Sequence, residues 1–114
     1  MAKAMIMTIV ATECSAEKEA EFNKWYNEVH IPLLFKFKGN KKVTRYKLVG
    51  VMGENKDQAK YLACYEYESQ EALDAFVKSP ELAAAMEEME ETWTDGGFEI
   101  KWRAAYEPLK VWER

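Results

Sequence analysis

The sequence predicts an α+β domain of the ferredoxin-like, split βαβ type: a four-stranded antiparallel sheet with its helices on one face. Three observations carry this. Strand-like and helix-like stretches follow one another in the order β-α-β-β-α-β. Turn residues separate them without a linker or an internal repeat. The chain has 114 residues, so residues 1–114 form a single domain, long enough to bury a core without metals or disulfides.

Residues 4–11 (A-M-I-M-T-I-V-A) are almost continuously apolar, the pattern of a strand covered on both faces. Ser15 is placed to cap a helix whose first turn carries Glu17 and Glu19, where the dipole favours negative charge. Phe22, Trp25, Tyr26 and Val29 recur at the spacing of one helical face. Pro32 disfavours helical geometry at Ile31, so the helix is expected to stop near Val29 or His30. A lysine-rich loop over 31–41 follows.

Residues 42–49 (K-V-T-R-Y-K-L-V) alternate as a second strand, and residues 50–57 supply a hairpin connection. Residues 60–68 (K-Y-L-A-C-Y-E-Y-E) make the third strand. Ser69 caps a helix bearing Leu73, Phe76 and Val77, and Ser79-Pro80 restarts it, serine as cap and proline at the first helical position. Leu82, Met86, Met89 and Trp93 line one side of that continuation, and Asp95-Gly96-Gly97 ends it. Residues 98–106 (F-E-I-K-W-R-A-A-Y) alternate strictly.

That alternation places Phe98, Ile100, Trp102, Ala104 and Tyr106 on one face and Glu99, Lys101, Arg103 and Ala105 on the other. The sheet is therefore expected to have an aromatic side under the helices and a mixed, charged side. The mixed side is either solvated or buried in a homodimer joined sheet to sheet. Leu109, Val111 and Trp112 in the tail favour the dimer, since they need a surface to pack on.

Composition removes several function classes. The net charge is −4, and the densest basic group, Lys36, Lys38, Lys41 and Lys42, lies on a loop; no basic face for nucleic acid results. Apolar stretches are too short to span a bilayer. The acidic Glu13 after the first apolar run argues against signal-peptide cleavage. Cys14 and Cys64 are read as free thiols of a cytoplasmic protein. With one histidine and cysteines 50 positions apart, neither metal ligation nor a resident cofactor is expected.

His30 is the only imidazole, so imidazole acid–base chemistry runs through it or not at all. The competing reading has it bonding free carbonyls in the last helical turn. Arg45 and Tyr46 must face opposite sides of their strand. Tyr46 is placed under the helices, as a hydroxyl for a substrate oxygen or as core; Arg45 is placed opposite, beside Glu66 or Glu99. Trp25, Tyr26, Phe76 and Trp102 wall a ligand pocket or simply fill the core. Cys14, near a helix start, sits where a thiolate is stabilised, although no base stands beside it in sequence.

The segment Phe22–Leu34 (F-N-K-W-Y-N-E-V-H-I-P-L-L), with Gly39 and the pair Arg45-Tyr46, resembles the EthD-like branch of the dimeric α/β-barrel superfamily. The element order extends the likeness over nearly the whole chain. The resemblance implies a homodimer whose two sheets close a barrel, with a cleft between helices and sheet in each protomer. Relatives include cofactor-independent monooxygenases, cyclases and isomerases. Haem-degrading relatives carry a histidine on the second helix where this chain has Phe76 and Val77, so that chemistry is not expected. Two readings follow. One is a cofactor-independent enzyme acting on a small apolar or aromatic molecule through His30 and Tyr46. The other is a non-catalytic ligand-binding, accessory or stress-related homodimer.

Overall fold

The computed structural model describes residues 5–54 and 57–114; Ala4 of the expected first strand and residues 55–56 of the expected hairpin connection lie outside them. Four strands, β1 (Ile6–Cys14), β2 (Asn40–Lys47), β3 (Tyr61–Tyr67) and β4 (Phe98–Tyr106), form one antiparallel sheet in the order β2-β3-β1-β4. This is the ferredoxin-like arrangement. β1 lies inside the sheet, as its continuous apolar run requires.

Tyr61, Ala63, Tyr65 and Tyr67 project from alternate positions of β3 and form the floor of the core. The helices cover that face. Phe22 is fully buried and meets Trp25, Tyr26, Tyr61, Trp93 and Phe98 with ring centroids 5.0 to 6.3 Å apart. Phe76 packs on Phe37 and Tyr67 from the far end.

The first helical segment does not stop at Val29 or His30. A 3-10 turn (Ala16–Lys18) leads into α1 (Glu19–Trp25), a π turn (Tyr26–His30) and α2 (Ile31–Leu34). Ser15 stands before this segment, but its side chain makes no capping bond. Ile31 is helical, at φ −62° and ψ −45°, despite the proline after it. The π turn explains this. The Ile31 N–H reaches back five residues to Tyr26 O, so Pro32 enters the first turn of a new segment, where an N–H is not needed. The extra residue also shifts the buried face: His30 turns inward and Val29, 36% exposed, turns out.

The second helical region follows the sequence closely. Ser69 Oγ accepts from Ala72 N at 3.1 Å and caps α3 (Gln70–Val77). Ser79 Oγ accepts from Leu82 N at 3.2 Å, caps α4 (Pro80–Thr92), and donates to Phe76 O at 2.7 Å. One buried hydroxyl thus joins two helices. After α4 the chain turns at Gly96, φ +69°. Gly39 opens β2 against Phe37, whose Cε2 would lie 2.5 Å from a Cβ there.

The largest departure from the expected faces is in β4. Ala11 pairs with Trp102 but Thr12 pairs with Ile100, so Lys101 is an extra residue, a β-bulge that reverses the alternation beyond it. Phe98 and Ile100 face the helices; Trp102 and Tyr106 sit on the open face with Ala11 and Met7. The open face is therefore more apolar than strict alternation predicts.

Candidate functional site

Between the helices and the sheet lies a cavity of about 380 Å³. The π turn supplies its polar corner. Tyr26 and His30, both buried, meet edge to face at 5.0 Å, and His30 stacks on Trp25 with centroids 4.7 Å apart. Trp25 is fixed in turn, its Nε1 donating to the Glu88 carboxylate of α4 at 2.9 and 3.1 Å. The remaining wall is largely apolar, with Leu82, Met86 and Met89 from α4, Phe76 from α3 and Val10 from β1. Apolar walls with few polar groups characterise small-molecule sites.

The polar groups are held in defined states. His30 Nδ1 is buried without a hydrogen-bond partner, and burial pushes the imidazole pKa down to about 4, the Glu88 carboxylate opposing. The ring is neutral at pH 7. Tyr26 Oη and Tyr65 Oη share a hydrogen bond of 2.9 Å in which either is the donor. Burial raises the pKa of both, Tyr65 the more strongly. Tyr67, on the floor beyond, is pushed up to about 12 by burial, with Thr8 acting weakly the other way. All three phenols therefore remain protonated at neutral pH.

Of the expected site residues, the structure brings Trp25, Tyr26, His30 and Phe76 to this cavity. It does not bring Tyr46 or Trp102. Tyr46 pairs with Leu62 on the open face and is 54% exposed, because it is Arg45 that shares the helix-covered side with Ala63. Trp102, 43% exposed, is turned out by the bulge at Lys101. Arg45 does not pair with Glu66 or Glu99. Its guanidinium lies 4.4 Å from the Tyr26 ring centroid and donates from Nη1 to Asn27 Oδ1 at 2.9 Å. Nor is His30 a cap, since the helix runs on past it. Cys14 is not activated: burial and then Glu19 raise its thiol pKa.

Tyr65, Tyr67 and Arg103 are cavity residues that the sequence reading passed over. The alternation Tyr61, Ala63, Tyr65, Tyr67 carried the signal for the tyrosines. Arg103 had none, because a bulge leaves no mark in composition. Among the described residues, no group of three His, Cys, Asp or Glu side chains is placed to hold a metal ion, and no helix is long and apolar enough to cross a membrane.

Comparison with known proteins agrees with the fold. The family model described as a domain of unknown function, DUF4286, matches residues 5–101. No curated protein matches the sequence. Among solved structures, the chain is similar to an EthD family protein from Bacillus halodurans at 20% identity and a TM-score of 0.66, covering 92% of this chain and 100% of that one. It is similar to HapK from Hahella chejuensis at 14% identity and a TM-score of 0.68, covering 96% and 98%. A dimeric ferredoxin-like protein of unknown function from Jannaschia sp. matches at 15% identity and a TM-score of 0.62, covering 91% and 99%. These likenesses are of fold, and they match the ferredoxin-like arrangement that the sequence predicts.

Proposed function

We propose a function for this chain, which belongs to the DUF4286 family of domains of unknown function: a cytoplasmic homodimer in which each protomer binds a small apolar or aromatic molecule. One observation carries the reading. A neutral imidazole with a buried, unpartnered Nδ1 stands at the edge of an apolar cavity, beside two hydrogen-bonded tyrosines. A buried polar atom left unpaired is costly, and a ligand group that bonds it removes that cost. The neutral His30 ring is placed to accept a hydrogen bond at Nδ1 and so to fix a ligand hydroxyl; its lowered pKa makes it a weak base, so proton transfer to it requires a ligand that stabilises the imidazolium. Tyr26 and Tyr65 orient an oxygen nearby. The chemistry that fits is acid–base or oxygenation chemistry on the ligand itself, without a cofactor.

Dimerisation is supported by the open sheet face, where Tyr46, Trp102 and Tyr106 are exposed, and by the exposed Leu109 and Trp112 of the tail, which need a surface to pack on. The Jannaschia protein is described as dimeric.

The experiment is a thermal-shift screen with small aromatic ketones, phenols and acids, followed by turnover assays on the binders. Stabilisation of the wild type that His30→Ala weakens supports the site; a panel that stabilises neither protein removes it. The second reading, binding without chemistry, is favoured by the position of Tyr46, which leaves His30 without the second catalytic group the sequence suggested. Binding with unchanged ligand after prolonged incubation selects that reading.

A further inference from the structure

Among the described residues, Arg103 is the one formally charged residue lining the cavity, and it is a cation. Strict alternation along β4 would point it away from the helices and put Trp102 in its place. The bulge at Lys101 exchanges them: Arg103 pairs with Val10, itself a cavity residue, and Trp102 pairs with Ala11 on the open side. Bulges re-aim side chains in this way beside binding sites. Here the effect is to replace an indole by a guanidinium in a wall that, among the described residues, holds no Asp or Glu.

The cation is also uncommitted. Among the described residues the ion pairs are Lys41–Glu68, Lys60–Glu19 and Lys101–Asp57, none of which involves Arg103. Arg103 is exposed, so it stands where the cavity opens to water. Its face is the helix-covered one, so a partner joined through the open sheet face leaves it accessible. The chain as a whole carries a net charge of −4, so nothing in the overall field favours an anion. The attraction is local to this position.

We propose that the ligand is an apolar or aromatic carboxylate. Its hydrophobic body lies in the cavity toward His30 and Tyr26, and its carboxylate is held by Arg103 at the mouth. Guanidinium suits this role because its planar fork matches a carboxylate with two parallel N–H donors. This proposal rests on the cavity being a ligand site and adds the charge and polarity of what enters it.

The test is calorimetric titration of the full-length protein with 2-naphthoate and with its methyl ester, which share one body and differ by one charge. The acid is expected to bind about tenfold more tightly than the ester, the size of a charge-assisted bond at a partly solvated site. Raising the salt concentration is expected to narrow that ratio. Arg103→Gln is expected to bring the ratio to about one, and Arg103→Lys to keep part of it. Equal affinities in the wild type, or a ratio untouched in Arg103→Gln, overturn the carboxylate assignment and leave the cavity standing as a neutral-ligand site. Binding of neither compound by the wild type overturns the assignment and the site together.

Discussion

The His30 imidazole lies stacked on the Trp25 indole, their planes 24° from parallel, while the indole N–H is held by Glu88 across the cavity wall. Two helices therefore fix the orientation of the ring. Its neutral state follows from burial, and this couples the candidate site to stability.

A histidine whose folded pKa is about 4, against an ordinary 6.5, binds its proton more readily in the unfolded chain. The unfolded state takes up protons as pH falls below 6.5, so stability is complete above that value and is lost progressively toward pH 4. The contribution lost between pH 8 and pH 4.5 is on the order of 2–3 kcal/mol. Urea unfolding of wild type and His30→Phe at both pH values checks this: the variant is expected to lose less stability on acidification.

Tyr26 and Tyr65 share one buried hydrogen bond. Tyr26→Phe leaves the Tyr65 hydroxyl unpaired and is expected to cost about 1–3 kcal/mol. Adding Tyr65→Phe is expected to cost less than the sum of the two single changes, because the pair is removed together. A double-mutant cycle by chemical denaturation measures the difference. Strict additivity would show that the bond is not formed in solution.

Phe22 is the centre of the aromatic core, fully buried and in ring contact with five neighbours. Phe22→Ala is expected to destabilise by about 3–5 kcal/mol. Phe22→Leu is expected to retain much of that, since it refills most of the volume. Differential scanning calorimetry distinguishes the two.

Trp102 tests the dimer. Trp102→Glu places a charge on the open sheet face without touching the helix-covered core, and the expected result is a folded monomer by light scattering. A variant that keeps the mass of the wild-type dimer would remove the sheet-to-sheet arrangement. So would a wild type that is already monomeric at micromolar concentration.

The order of elements was legible because each had its own periodicity and punctuation: the apolar run of β1, the serine caps of α3 and α4, Gly96 after α4. Trp25, Tyr26 and His30 were legible as candidates because helical spacing and the single imidazole marked them. Two irregularities of one residue each account for much of what was not. At Pro32 the local preference against a helix was met by a π turn, which moved the missing donor to a harmless place and turned His30 inward. At Lys101 one unpaired residue reversed the faces of β4, so Trp102 and Arg103 exchanged roles. On β2 no irregularity intervened at Tyr46; the apolar side was simply assigned to the wrong face. Val43 and Arg45 go under the helices because the arginine's flat head covers the aromatic rings of Tyr26 and Tyr61.

The paired phenols at the polar corner have equivalent standing as donor and acceptor. Rotation of both hydroxyls about their C–O bonds reverses the polarity of the pair with every heavy atom in place and each phenol keeping its own proton. The corner can then offer a visiting molecule either a proton to lean on or a lone pair to donate into, and arrivals of opposite hydrogen-bonding character would find the same rigid room already furnished for them.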